Sequence, residues 1–397
     1  MDNDQPRFHQ ILTGVADSAR ADSWQITNRD LDLTPDIPWA IRRTTLRGGK
    51  QEGVDCVALD NGRLRLVILP TRGFGVLRVE AGDIRLGWDS PVKEPVHPLH
   101  VALTSRGGLG WLEGFNEWMV RCGLESCGGP GRDRFITNTG AEAEMDLSLH
   151  GKIANIPASE VEVVVDRQPP HRLHVRGRVF ERMFYGPKLE LGVDISTVPG
   201  ADGFCIEDIV TNRGGTEQEF QLLYHVNFGP PLLEDGARFV APLRSVTPMN
   251  ARAGRDVRQY DRYGGPTAGF VEQVYCLEPL AGAQGRTLVL LRNAAGNLGA
   301  TMRYALEQLP YLSLWKSTNV PAEGYVTGIE PGTGYPNTRR VERQFGRVPK
   351  LAAGAARRFR IDYTVLDGAE GVDRAEQEIA AMQGGQSIDY RSEPVCA

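Results

Sequence analysis

The chain has 397 residues, 41 % of them hydrophobic and 24 % charged, with a net charge of -5. That length holds two or three ordinary domains or one large β architecture, and the apolar content supplies a full core. The mild acidity excludes the basic footprint of a nucleic-acid binder or of a protein held on an anionic membrane surface.

The opening MDNDQPRFHQ is polar and acidic where a signal peptide is basic and then apolar. No run approaches the roughly 18 apolar residues of a membrane helix, so a cytoplasmic protein is expected. Six scattered cysteines (Cys56, Cys122, Cys127, Cys205, Cys276 and Cys396) favour buried thiols over a disulfide framework. Residues 1–49 read as an N-terminal extension whose first 25 or so residues are mobile, residues 50–366 as one domain, and residues 367–397 as a helix and mobile tail. The extension offers a surface on which a second copy, in a homo-oligomer, could pack.

Forty-six glycines and 25 prolines fall between short apolar runs, the texture of an all-β chain. Strands are predicted in order at Cys56–Leu59, Leu64–Leu69, Val76–Glu80, Ile84–Leu86, Ala143–His150, Ser159–Val165, Arg172–Phe180, Lys188–Ser196, Phe204–Asn212 and Glu219–Phe228. They continue at Val271–Leu277, Thr287–Arg292, Gly299–Tyr304, Tyr311–Lys316, Tyr325–Glu330 and Arg357–Val365. Many alternate apolar and polar residues at period two, as in Leu189-Glu190-Leu191-Gly192-Val193-Asp194-Ile195. So many short strands imply stacked sheets, a large sandwich. Helices are few: Asp373–Met382 is rich in helix formers, and Gly107–Arg121, with its GWLEGFNEWMV, is a helix or an ordered loop.

Three strand-like segments carry titratable groups near their ends. In Phe220–Leu233, Leu223, His225 and Asn227 share one face, and Gly229-Pro230-Pro231 stops the strand. In Tyr325–Pro336, Val326, Gly328 and Glu330 share a face, and Pro331-Gly332 ends it. In Leu147–Ala158, Ser148 and His150 share a face. Imidazole and carboxylate at strand ends suit general acid–base work on a sugar-sized molecule held in a cleft. Each residue taken singly reads first as structural, His bonding a carbonyl and Glu pairing with an arginine; the strand-end context repeated in three segments favours chemistry.

Pro70-Thr71-Arg72-Gly73-Phe74-Gly75 presents Arg72 from a tight turn, either as a clamp on hydroxyls or in a surface ion pair. Trp111, Phe115, Trp118 and Trp315 are candidate platforms for a pyranose face, or core. Lys316, one of only six lysines, stands beside Trp315. His97-x-x-His100 lacks a third ligand nearby, so no metal is expected. No nucleotide-binding or nucleophile motif is present, so no cofactor is expected either.

Taken together, PTRGFG, LHGKIANIPA, LYHVNFGPPLL and GIEPGTGYPN resemble motifs of the aldose 1-epimerase (galactose mutarotase-like) superfamily. The match is to the branch known as a domain of unknown function, over residues 50–366. The resemblance implies a galactose mutarotase-like β-supersandwich with few short helices and a groove across one sheet. It implies His225 as general acid at the sugar ring oxygen and Glu330 as base at the anomeric hydroxyl. Arg72 and His150 would hold the ring oxygen and hydroxyls. Apart from the resemblance, Asn227 beside His225, and Trp315 with Lys316, are candidate sugar contacts by residue type and position. The acidic sugar-binding residue of the galactose mutarotases has no clear match here, although Asp261 and Glu272 lie in the right interval. The implied reaction is anomer interconversion of a small sugar without cofactor. The same groups would serve isomerisation or β-elimination on an oxidised keto sugar, and a silent sugar-binding protein is a third reading.

Overall fold

The structure, a computed structural model, describes residues 6–394 except Asp17, Asp22, Pro35 and Asp36. Period-two alternation gives each strand one apolar face, and two large sheets bury those faces against each other. One sheet has ten strands and the other thirteen, nearly all paired antiparallel. The core between them interdigitates Val163, Val175, Leu191 and Ile206 of the first with Ile68, Val76, Leu222, Tyr224, Val226 and Ile329 of the second.

One charged group crosses that core. Arg121 projects inward from Met119–Leu124 and is fully buried against Asp208 of the ten-stranded sheet, 2.9 Å from Nη2 to Oδ1. Tyr224 donates its hydroxyl to the same carboxylate at 2.8 Å, and Arg121 also donates to the Phe74 carbonyl. Each hydrogen-bonding direction of the pair is thus used, which is the condition for tolerating buried charge.

Every predicted strand has a counterpart. The sequence reading did not find Met119–Leu124, Gly131–Ile136 (the ribbon partner of Glu142–Leu147), Leu243–Pro248 or the strands before residue 50. Arg7–Gly14, read as part of a mobile end, pairs along Glu160–Asp166, with Arg7 on Asp166 and His9 on Glu162. Leu12 enters the core and Phe8 packs against it, with these exposed cross-strand contacts beside them. Asp389–Tyr390, in the expected mobile tail, pairs parallel with Ser245–Val246, and Ala19–Arg20 pairs with Thr13–Gly14. Residues 1–5 and 395–397, with Cys396, lie outside the described residues; the other five cysteines are free thiols in buried positions. The C-terminal helix runs Ala369–Gln383 and packs Val372, Ala375 and Ile379 on Leu288 and Leu290, outside the ten-stranded sheet. No helix among the described residues is long and apolar enough to cross a membrane.

The remaining face is the outer face of the thirteen-stranded sheet. There Val120, Cys122, Leu223 and Val326 meet Trp88, Trp111 and Phe115 from the loops above, with Trp315 at the edge. This second, smaller cluster surrounds the titratable residues.

Candidate active site

Four strands lie side by side in the middle of the thirteen-stranded sheet: Met119–Leu124, Gln221–Phe228, Tyr325–Gly332 and Tyr311–Thr318. Val226 pairs with Ile329 and Asn227 with Gly328, so the register sets His225 opposite Glu330. Ser313 faces Glu330 from the next strand, and Trp315 faces Gly328. His225 Nε2 lies 3.2 Å from Glu330 Oε1. The angle there makes no hydrogen bond, and Glu330 Oε1 has no other partner. Tyr325–Gly332 runs on through Pro331 to Gly332, two residues past the predicted stop, because Pro331 still pairs with Leu312.

Gly328 makes room for this meeting. A Cβ there would fall 2.6 Å from Glu330 Oε1, 3.0 Å from His225 Cε1 and 3.2 Å from the Trp315 ring. Any side chain at that position would occupy the volume where His225, Glu330 and Trp315 converge.

His150 reaches the same place by a different route from the one expected. The ribbon strand ends at Leu147, and His150 sits in a turn at φ 57°, followed by Gly151 at φ 71°. It therefore shares no strand face with Ser148; the left-handed turn aims the ring inward instead. His150 Nδ1 lies 2.9 Å from the Cys127 carbonyl, which can only accept, so Nδ1 carries the hydrogen and Nε2 is bare. The His150 and His225 rings stand edge to face, 5.3 Å apart.

The expected open cleft is closed. Residues 105–118 form two short helical turns and an extended piece, and they lay Trp111 and Phe115 over the histidines. Trp111 is 4.6 Å from the His150 ring, and Phe115 is 5.1 Å from the His225 ring. Trp88 packs on Phe115 from behind. Aromatic area buries well here, and the result is a dry roof: His225, Glu330 and His150 are 5 %, 2 % and 8 % exposed. Trp118 is no part of it; the ring points into the sandwich core against Phe204, Phe228 and Tyr363.

Burial sets the protonation of the pair. It pushes Glu330 up to about 8, with the charge of Glu272 adding to the shift. It pushes His225 well below its ordinary value, with nearby His150 adding and the hydrogen bond to Asn227 opposing. It lowers His150 to about 4. At neutral pH the closed site holds both imidazoles neutral and Glu330 protonated, because no charge is cheap in this dry space.

The other expected contacts divide. Trp315 borders the site, its ring 5.5 Å from that of His225, and its Nε1 donates to Glu272 at 2.9 Å. Of the two acidic positions noted, Glu272 is therefore the one at the rim; Asp261 pairs with Arg238. Asn227 is fully buried and bonds His225 Nδ1 at 2.7 Å. Arg72 is neither an exposed clamp nor a surface pair. It is buried with Glu117 at 3.0 Å and also donates to Asn155 and to the Gly114 carbonyl, tying the roof segment to the sheet. Lys316 lies on the opposite strand face from Trp315, where it donates to the Arg262 carbonyl at 2.6 Å and sits over the Tyr263 ring. Burial lowers its ammonium to about 8.

The sequence reading did not single out Glu117 or Ser313. Asn155 was within reach, since it belongs to the same IANIPA stretch as the histidine motif.

Sheet order and register make this a galactose mutarotase-like β-sandwich. The chain belongs to the family described as "Domain of unknown function (DUF4432)", which it matches over residues 51–365. It is similar to a Klebsiella pneumoniae structure named a "putative aldose 1-epimerase", at 39 % identity and a TM-score of 0.93, over 98 % of this chain and 100 % of that one. A galactose mutarotase-like protein from Clostridium acetobutylicum shares the fold at 13 % identity and a TM-score of 0.55, over 87 % of this chain and 99 % of that one. A galactose 1-epimerase from Lactobacillus acidophilus does so at 11 % and 0.52, over 83 % and 99 %. Among curated proteins none matches.

Proposed function

We propose that this protein is a sugar mutarotase that interconverts the anomers of a small aldose by acid–base catalysis between His225 and Glu330. The observation that carries the reading is the pair itself: two titratable side chains 3.2 Å apart, buried, with one carboxyl oxygen left without a partner. A buried polar atom without a partner calls for an explanation, and a catalytic role is one of them. Ser313 Oγ, opposite it, and Trp111 Nε1, in the roof, are also buried without partners. A polyhydroxylated ring would satisfy all three.

The chemistry fits the proton count. Between them His225 and Glu330 hold one exchangeable proton. With that proton on Nε2, His225 donates to the ring oxygen while the Glu330 carboxylate takes the proton of the anomeric hydroxyl. The C1–O5 bond breaks and C1 becomes an aldehyde. Rotation about C1–C2 and the reverse transfers close the ring on the other face, and the pair returns to its starting state. Each group contributes about 10²–10⁴ in rate. His150, neutral with a bare Nε2, accepts from a sugar hydroxyl.

The test is anomer exchange followed by NMR on a panel of aldoses, with the wild type and with His225→Ala and Glu330→Gln. Acceleration by the wild type and its loss in both variants is expected. Variants that exchange anomers at the wild-type rate would sink the assignment. A new stable product from a keto sugar would move the reading to an isomerase or lyase.

A further inference from the structure

Asn227 has one donor end and one acceptor end, and its surroundings admit a single orientation. Two backbone carbonyls, of Glu117 at 3.0 Å and of His225 at 3.2 Å, face one end of the amide. Carbonyl oxygens only accept, so the NH₂ group must point there. The amide oxygen is then the atom 2.7 Å from His225 Nδ1. The flipped amide would set its oxygen against two carbonyls at a residue fully buried from solvent. An amide oxygen cannot donate, so Nδ1 must carry a hydrogen.

We propose that Asn227 is a positioning residue that locks His225 as the Nδ1–H tautomer, so that Nε2 alone exchanges protons at the reacting atoms. The inference rests on the acid–base reading of His225 and Glu330 given above. With the ring neutral, Nε2 is bare and faces the Glu330 carboxyl; with the ring protonated, Nε2–H faces the same way, and the Asn227 contact is unchanged. The ring therefore never has to turn between the two halves of the reaction. The opposite tautomer would put a hydrogen where the proton must be received and leave Nδ1 facing an oxygen lone pair.

The frame behind Asn227 is itself fixed. The Glu117 carbonyl also accepts from Trp88 Nε1 at 3.2 Å, and the Glu117 side chain is held by Arg72. The Asn227 backbone N–H donates to the Trp118 carbonyl at 2.6 Å. Arg72 thus bears on His225 through Glu117 and Asn227 without touching it. The groups that face His225 are Glu330 from the neighbouring strand, His150 from its turn, and the rings of Trp111, Phe115 and Trp315. Asn227 adds a neutral acceptor. An aspartate there would add a charge that favours the imidazolium.

Histidine ring ¹⁵N shifts, assigned to His225 by comparison with His225→Ala, read the tautomer directly. The wild type is expected to show Nδ1–H at pH 8; Nε2–H there overturns the proposal without any variant. Asn227→Leu is expected to bring in the Nε2–H form and to lower kcat by about 10²-fold or more, with KM within a few-fold. Asn227→Asp keeps Nδ1–H but moves the titration of His225, and the matching limb of the pH–rate profile, to higher pH. A Leu variant that keeps both the Nδ1–H signal and full kcat also overturns it. Should the wild type show Nδ1–H yet accelerate no anomer exchange, the tautomer lock stands and the mutarotase reading falls.

Discussion

Gly328 and Glu330 share one strand face, and the missing side chain of the first is what leaves space for the carboxyl of the second. The glycine is at ordinary extended geometry, so its backbone accepts alanine; only the volume is contested. Gly328→Ala forces Glu330 away from His225. The expected outcome is a loss of about tenfold or more in anomer exchange, with the overpacking cost of roughly 1–3 kcal/mol seen in denaturant unfolding. Full activity at wild-type stability would show that the pair does not use this space.

Glu330 makes folding stability depend on pH in a defined direction. Its carboxyl titrates at about 8 in the folded chain against an ordinary 4.5. Between those values the folded protein holds a proton that the unfolded chain has released, so stability falls as pH rises through the window. His150, at about 4 against 6.5, acts oppositely: its contribution is present above 6.5 and is lost as pH falls towards 4. Glu330→Gln removes only the first effect. Urea midpoints from pH 5 to pH 9 should show the variant gaining on the wild type as pH rises, whereas a constant difference would mean that Glu330 ionises at its ordinary value.

Asp208 tests the sandwich rather than the site. Asp208→Ala leaves the Arg121 guanidinium buried with no countercharge, and a loss of about 3–5 kcal/mol is expected. A loss below 1 kcal/mol by chemical denaturation would show that water reaches Arg121.

Lys316 separates a structural role from a binding one. Its ammonium holds the Arg262 carbonyl, so Lys316→Met leaves that oxygen unpaired, at a cost of about 1–3 kcal/mol. KM for the sugar should stay within twofold. A tenfold rise in KM with an unchanged unfolding midpoint would place the ammonium on the substrate instead.

Much of this was legible from the chain alone, and the failures share a cause. Period-two phasing assigned His225 and Glu330 to the correct strand faces, because side-chain direction along a strand is a local property. That they meet depends on the register of Val226 with Ile329, which is non-local. His150 was placed on a strand because the Leu147–Ala158 segment alternates, but a residue at positive φ breaks the phasing without leaving a glycine at its own position. Arg72 and Lys316 look exposed by residue type. Their burial is decided by Glu117 and by the backbone of the Gln259–Arg262 turn, partners no periodicity reveals. The Arg7–Gly14 strand was hidden because its apolar face is reduced to Phe8 and Leu12, set among polar residues near the end of the chain.

The aromatic roof over the histidines has a consequence for any affinity measured on this protein. On the mutarotase reading proposed above, a sugar that reaches His225 must displace Trp111 and Phe115, which pack on the histidine rings. If one molecule in a hundred is open at a given moment, the observed dissociation constant is about a hundred times the intrinsic one. Substitutions in the roof would then tighten or loosen binding without touching the ligand, simply by changing how often the door stands ajar.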